Sequence, residues 1–418
     1  MASAKSIAAK DVPALLRPGM QVYAPGLAGE SAVFVQALRA APDVCAGVRF
    51  VGVWLPGVNR VDYAGLHPQA QASAFFVTRD LAGSFASGRV DFRPLSYFAA
   101  YTWLRDQADI DLALLHTAPP DAEGNLSLGV ANDFTPSILH KARLKVAHVN
   151  PLMPRTFGTR VPLAAVDYIV EAPAPLLADD DAPDTVFDAI GRHIAGLIED
   201  GDTLEIGVGR VQRVFSAITG ARGLRLHTGA ITTPLLPLVR AGGIAEDEGA
   251  IVAGVALGQK PLYDFVADNP QVRFAPVGWT HDIRTLSAIE RFIAINSVIE
   301  VDLLGQANAE MIGGRQVGAA GGLMDFMRGA RSSPGGRAIV ALPAAAKGGA
   351  ISKIVAEFPR GSAVSVARGD MDTVVSEFGV ADLREKTLDE RARALIAIAA
   401  PQFRDELTAA WSTRRRTM

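Results

Sequence analysis

The sequence predicts an α/β protein built of two similar domains, each a parallel or mixed sheet covered by helices. Three observations carry this. Short β-branched runs alternate with amphipathic stretches along the chain, the pattern of strands buried between helices. The 40 Gly and 25 Pro among 418 residues supply the many strand–helix turns such a fold needs. A weak internal echo links the halves. Pro18-Gly19-Met20-Gln21-Val22, Gly26, a helical stretch and Gly47-Val48-Arg49-Phe50 are matched by Asp200-Gly201-Asp202-Thr203-Leu204, Gly207 and Gly209, a helical stretch and Gly223-Leu224-Arg225-Leu226.

Taken in order, residues 31–40 read as an amphipathic helix and Val48–Val53 as a buried strand. Leu112–Leu115 and Lys145–Val149 are further strands. Residues 172–184, with three prolines and the run Asp179-Asp180-Asp181, disfavour helix and prefer water, so a linker is expected there. It divides the chain into domains 1–184 and 185–418. In the second half, helix is expected over 185–199, strand over Thr203–Ile206, helix over 210–218, strand over Ala338–Leu342 and helix over 386–399. Residues 403–418, ending in Arg414-Arg415-Arg416, are expected to form a solvated tail. Two related α/β domains facing each other would hold a ligand at the domain interface.

Bulk properties exclude several classes. A net charge of −3 leaves no basic footprint for nucleic acid. Cys45 is the single cysteine, which forbids an internal disulfide and suits a cytoplasmic location. Residues 1–20 carry Lys5, Lys10, Asp11 and Arg17 and lack the continuous apolar run of a signal peptide. No stretch approaches the ~20 apolar residues of a membrane span.

Candidate chemistry lies in a few places. Gly207-Val208-Gly209-Arg210 follows a strand and opens a helix, so bare backbone and free N–H groups face an anion or an oxyanion there. Tight strand–helix packing explains the same glycines, and Gln212 breaks the dinucleotide fingerprint. Gly318-Ala319-Ala320-Gly321-Gly322-Leu323-Met324-Asp325-Phe326 is a second glycine-rich turn, suited either to a ligand arm or to a surface loop. The stretch from Thr117 through Pro119-Pro120-Asp121 to Gly129 has turn chemistry. Glu300 and Asp302 would share a strand face, as an acid/base pair or as structural acceptors. Glu377 precedes a glycine at a strand end. His227, His281 and Asp282 complete the polar candidates. The seven histidines show no metal-ligand spacing, so no metal is expected. No Gly-x-Ser-x-Gly elbow occurs.

Three blocks then align with one family. They are Ile-Asn-Ser-Val-Ile-Glu-Val-Asp-Leu (295–303), Gly-Gly-Leu-Met-Asp-Phe (321–326) and Val-Val-Ser-Glu-Phe-Gly-Val-Ala-Asp-Leu (374–383). With the Pro-Pro-Asp loop, Val149-Asn150 and 399–404, the chain resembles the family I CoA transferases, the acetyl-CoA hydrolase/transferase group that includes 4-hydroxybutyrate and acetate CoA-transferases. The resemblance implies acyl-CoA and a small carboxylic acid as substrates, coenzyme A itself being a substrate, and a homodimer or larger homo-oligomer. It implies CoA or substrate contacts at Gly207, Val208, Gly209, His227, Thr280, His281, Gly321, Gly322 and Leu323.

The chain also departs from the family's pattern. Where the family's His-Thr-Glu step supplies the attacking carboxylate, this chain has His227-Thr228-Gly229. Ala319 and Leu323 replace a glycine and a glutamine, and Thr280 precedes His281 where Asn-His is common. With Gly229 in the nucleophile position, hydrolysis or transfer of CoA by water attack is expected, with Glu377 as the base; a transferase using a different carboxylate or direct attack by the acid, and a non-catalytic acyl-CoA-binding protein, stay open as alternatives. The volume missing at Gly229 is expected to admit a water or a larger acyl group, unless neighbouring side chains fill it.

Overall fold

The structure, a computed structural model, describes residues 4–178 and 183–418. It separates into two compact units. The first holds Met1–Asp180, Ala230–Thr233 and Asp247–Thr280, and the second holds Asp181–Gly229, Pro234–Glu246 and His281–Met418. A single cut near residue 185 therefore does not describe the chain. Asp247–Thr280 returns to the first unit and brings a parallel strand pair, Ile251–Ala256 with Val272–Phe274. Of the expected linker, residues 179–182 lie outside the described ones.

The first unit carries an eight-stranded sheet. Its order is Lys5–Ser6, Tyr168–Glu171, Leu144–Val149, Leu112–Thr117, Gln21–Tyr23, Arg49–Gly52, Gln71–Ala74 and Val90–Phe92, and every pairing is parallel. Parallel strands are covered on both faces, which is why Leu112–Thr117 is buried at every position and reads as an unbroken run. Helix Ala32–Ala40 covers one face. Ser31 caps it by accepting from Phe34 N, and Phe34, Val35, Ala37 and Leu38 turn inward. Phe34, Val35 and Leu38 join a core with Val22, Phe50 and Leu114, at about 1.5–3 kcal/mol for each large side chain removed from water.

The second unit repeats the plan. Its strands run in the order Arg225–Ile231 (of which Ala230 and Ile231 are counted with the first unit), Thr203–Ile206, Phe292–Ser297, Arg337–Ala341, Thr373–Ser376 and Gly379–Asp382, with the last two antiparallel. Helix Leu323–Ser332 packs Phe326, Met327 and Ala330 into a cluster with Phe292, Ala294 and Val340. In each unit the chain winds one way from a central strand and then restarts on its other side. The reversal falls between Gln21–Tyr23 and Leu112–Thr117 in the first unit, and between Thr203–Ile206 and Phe292–Ser297 in the second. Crevices outside the carboxyl ends of such strand pairs are where open α/β sheets bind ligands.

The expected tail is helical instead: Arg404–Thr417 is one helix. Leu407 and Trp411 are buried along it, and Arg414 donates to the Ala356 carbonyl at 2.8 Å. Among the described residues, no helix is long and apolar enough to cross a membrane.

Candidate active site

The carboxyl end of Thr203–Ile206 opens into the turn Gly207–Arg210. Gly207 has no room for a side chain, since a Cβ there would lie 2.5 Å from Asn296 Oδ1. Gly209 adopts φ +93°, a conformation glycine reaches without strain. Gln212 holds the turn from below, its amide donating to the carbonyls of Ile206 (2.6 Å) and Gly207 (2.9 Å). The residue that spoils the dinucleotide fingerprint is thus the clamp of this turn. Val208 stands out from it, 39% exposed.

One carboxyl of this site lies inside an apolar strand. Glu205 is 1% exposed and accepts from Asn296 Nδ2 at 2.7 Å. Burial drives its pKa well above the carboxylate range, against the pull of Asn296 and the Ile295 backbone. The register Thr203↔Arg225 and Leu204↔Leu226 pairs the strand of Glu205 with the strand that carries His227 and Gly229, and strand alternation turns Glu205, His227 and Gly229 to the face of Thr203 and Arg225. The signal for Glu205 in the sequence is a charge within a strand that reads as doubly buried.

Gly229 has an aromatic neighbour against its side-chain position. A Cβ on Gly229 would meet His281 Cε1 at 3.3 Å, Nε2 at 3.5 Å and Phe326 at 3.8 Å. A Cβ on Gly322 would lie 2.5 Å from His281 Nε2. The His281 ring, 2% exposed, sits between these two glycines with its centroid 4.3 Å from that of Phe326. Burial, reinforced by the nearby His227, pushes its pKa down to about 3, so it is neutral at physiological pH. An imidazole and a phenyl edge thus bound the space expected at Gly229: a Cβ fits there in close contact with His281 and ordinary contact with Phe326. Asp282 caps the next short helix and pairs with Arg284 at 2.6 Å.

Other expected site residues lie elsewhere. Leu323 is 5% exposed and belongs to the apolar cluster of Phe292 and Phe326, so its side chain serves the core rather than a ligand. Thr280 ends the first unit and donates twice to the Pro276 carbonyl. Glu377 accepts from Ala344 N at 2.8 Å. It follows the strand Thr373–Ser376, four strands from Arg225–Ile231 in the sheet order, which is about 19 Å of sheet width at ~4.8 Å per strand. The structure does not bring Glu377 to Gly229. Glu300 accepts from Asn308 Nδ2, and Asp302 from Leu304 N, Gln306 N and Gln306 Nε2; both carboxylates are tied into turns. The Pro-Pro-Asp loop belongs to the first unit, closed by Asn125 N donating to Asp121.

Comparison with known proteins places these features in a family. Residues 3–178 match the acetyl-CoA hydrolase/transferase N-terminal domain and residues 258–411 its C-terminal domain. The chain is 37% identical over 390 residues to a 4-hydroxybutyrate coenzyme A transferase of Clostridium kluyveri, covering 91% of this chain and 90% of the relative. It is 33% identical to a succinyl-CoA:cyclohexane-1-carboxylate CoA transferase of Geobacter metallireducens, covering 95% and 92%. The crystal structure of RipA from Yersinia pestis superposes with a TM-score of 0.90 at 29% identity, covering 98% of each chain.

Proposed function

The chain belongs to the acetyl-CoA hydrolase/transferase family, and on that premise we propose that it processes the CoA thioester of a small carboxylic acid without a covalent glutamyl intermediate. The observation that carries this is the His281 ring over Gly229. Double displacement needs a carboxylate that attacks the acyl carbon. Position 229 has no side chain, and a neutral imidazole packs against the place from which one would project. Water is then the attacking group. Its oxygen adds to the thioester carbon, the C–S bond breaks, and the sulfur leaves as CoA thiol carrying a proton from the water. His281 supplies an N–H to the carbonyl oxygen as negative charge builds there, the role of an oxyanion donor. The turn Gly207–Gly209 and the pair Gly321-Gly322 leave bare backbone beside the acyl-CoA. Glu377 is not the base in this reading, because Ala344 N holds it four strands away.

A second reading, CoA transfer through another carboxylate, is favoured by one observation: Glu205 lies on the strand beside His227 and Gly229, facing the same side. In either reading the protein works as a homodimer or larger homo-oligomer on acyl-CoA and a small acid.

Thiol release from a panel of short acyl-CoA thioesters, with and without acetate or succinate, tests both, together with intact-mass analysis of the protein. Acceptor-independent release with no CoA adduct supports water attack. Acceptor-dependent exchange with an adduct mapping to the Glu205 peptide supports the second reading. No turnover across the panel overturns both.

A further inference from the structure

A groove of about 710 Å³ runs along the last two helices of the chain, Leu388–Ala397 and Arg404–Thr417. Arg393, Ile396 and Ala397 stand on one wall, and Thr408, Ser412 and Arg416 on the other. Residues three, four, seven and eight apart share one side of a helix, so each wall is a single helical stripe. The hairpin is held from inside. Leu395, Leu407 and Trp411 belong to the apolar cluster of Phe292 and Phe326. Along the groove, Asp389 accepts from Trp411 Nε1 and from Arg415 Nε, both at 3.1 Å. The groove is therefore formed within one subunit.

Asp389 and Arg415 satisfy each other, and three charges are left over. Arg393, Asp405 and Arg416 are exposed, and among the described residues none of them forms an ion pair or a side-chain hydrogen bond. Asp405 lies in the first turn of its helix and Arg416 in the last. From position 405 to position 416 is about three turns at ~3.6 residues per turn, so the two share the side of the helix that carries Ser412. That face is acidic at one end and basic at the other. Such a face is its own complement. A second copy laid antiparallel, with a two-fold axis beside Ala410 and Trp411, would bring Asp405 against Arg416 of the partner subunit and Arg416 against the partner subunit's Asp405. Two identical contacts from one surface patch are what an isologous dimer requires. A partner of one sign would satisfy Arg416 and leave Asp405 without an opposite charge, so charge complementarity favours a copy of the same face.

We propose that this helical hairpin is a self-association surface. Helix Arg404–Thr417 of each subunit seats in the groove between the two helices of the other, so that four helices pack across the two-fold axis. The proposal rests on the reading of the protein as a homo-oligomer and gives that oligomer one of its interfaces. Ile396, Ala397 and the edge of Trp411 lose water when the groove is filled, which supplies affinity. The Asp405–Arg416 pairs set register and partner choice, the usual work of charges at an interface rim. Arg393, on the facing wall, adds to the positive field that the partner subunit's Asp405 approaches. Arg414 takes no part, since it is held by the Ala356 carbonyl.

Sedimentation velocity of the full-length protein over a concentration series tests this with Asp405→Arg and Arg416→Asp. Either substitution alone sets like charges against each other at both contacts. Each is expected to weaken self-association by about tenfold or more, and to halve the mass at a concentration where the natural chain is assembled. Mixed in equal amounts, the two variants face opposite charges again, and association is expected to return. The double variant Asp405→Arg/Arg416→Asp is expected to associate as the natural chain does. Recovery in the mixture also shows that both single variants fold. Single variants that keep the natural mass overturn the proposal, as do variants that dissociate and are not restored by mixing. A natural chain that stays monomeric overturns the homo-oligomer and this interface together, whereas an oligomer indifferent to these charges overturns the interface alone. Thiol release from acyl-CoA is read on the same samples, so the acyl-CoA reading stands or fails separately.

Discussion

The two units solve the same problem at the same place in different ways. Each sheet reverses its winding beside a central strand, and each follows that strand with a turn clamped by a buried side-chain amide. In the first unit Asn59 clamps a strained non-glycine residue, Leu27, and the turn delivers a carboxyl, Glu30. In the second, glycines take the awkward geometry, Gln212 clamps only carbonyls, and the face beside the turn carries Gly229 beneath His281. Strain held by hydrogen bonds fixes a titratable group in place. Glycine leaves backbone bare for a ligand to approach. The difference gives the first turn a fixed carboxyl and the second a bare backbone.

The largest expected effect tests the clamps. Asn59→Ala leaves Leu27 N and Leu55 N buried without their acceptor and releases a strained residue. At about 1–3 kcal/mol per unsatisfied buried group, it is expected to lower unfolding stability by about 4 kcal/mol. Gln212→Ala removes two donors, and the Ile206 carbonyl keeps Thr228 Oγ1 at 3.3 Å, so about 2 kcal/mol is expected. Urea unfolding of both variants measures this. Equal losses would remove the distinction between a strained and a relaxed turn.

Next in size is the packing around His281. Gly322→Ala would put a Cβ 2.5 Å from Nε2, and Gly229→Ala would put one 3.3 Å from Cε1. Overpacking of this kind costs about 1–3 kcal/mol, with Gly322→Ala at the upper end and Gly229→Ala at the lower. Combining each with His281→Ala is expected to show coupling of about 1 kcal/mol or more in a double-mutant cycle. The same crowding governs activity. Gly229→Glu alone is expected to gain no transfer, whereas Gly229→Glu with His281→Ala is expected to gain acceptor-dependent exchange and a CoA adduct at position 229.

Much of this was legible from the sequence, and the parts that were not share a cause. Doubly buried parallel strands such as Leu112–Thr117 announce themselves as apolar runs, and helix Ala32–Ala40 shows its stripe. The return of Asp247–Thr280 to the first unit is a tertiary choice that no local pattern encodes. Arg414–Arg416 reads as a tail because its charges mask the helical spacing of Leu407 and Trp411. Among the site residues, Gly207, Gly209 and His281 stand in recognisable blocks. Gln212, Asn59 and Glu30 are single polar residues in ordinary surroundings, and only the fold shows that their partners are backbone groups. Leu323 falls in a signature block but turns into the core, because the first turn of helix Leu323–Ser332 packs into the cluster of Phe292 and Ala294 and demands an apolar side chain there.

The smallest effect separates the two loci by pH. His281 has a pKa near 3 in the folded protein and about 6.5 unfolded. A depressed folded value means that the stability linked to this group is fully present above pH 6.5 and is lost as pH falls toward 3, because the unfolded chain takes up the proton first. At about 1.4 kcal/mol per pH unit, roughly 2 kcal/mol is lost by pH 5. Glu30 runs the other way. Its folded value of about 7 exceeds the unfolded one, so its contribution is complete in acid and is lost as pH rises toward 7. Unfolding stability of His281→Phe, which keeps a ring beside Phe326, is expected to fall by about 2 kcal/mol less than that of the natural chain between pH 7 and pH 5. Glu30→Gln is expected to change the same interval in the opposite sense, losing more than the natural chain on acidification because the opposing gain from Glu30 is gone. If both substitutions shifted the interval in one direction, the charge-positioning turn and the neutral imidazole site would not be electrostatically distinct, and the contrast between the two units would reduce to packing.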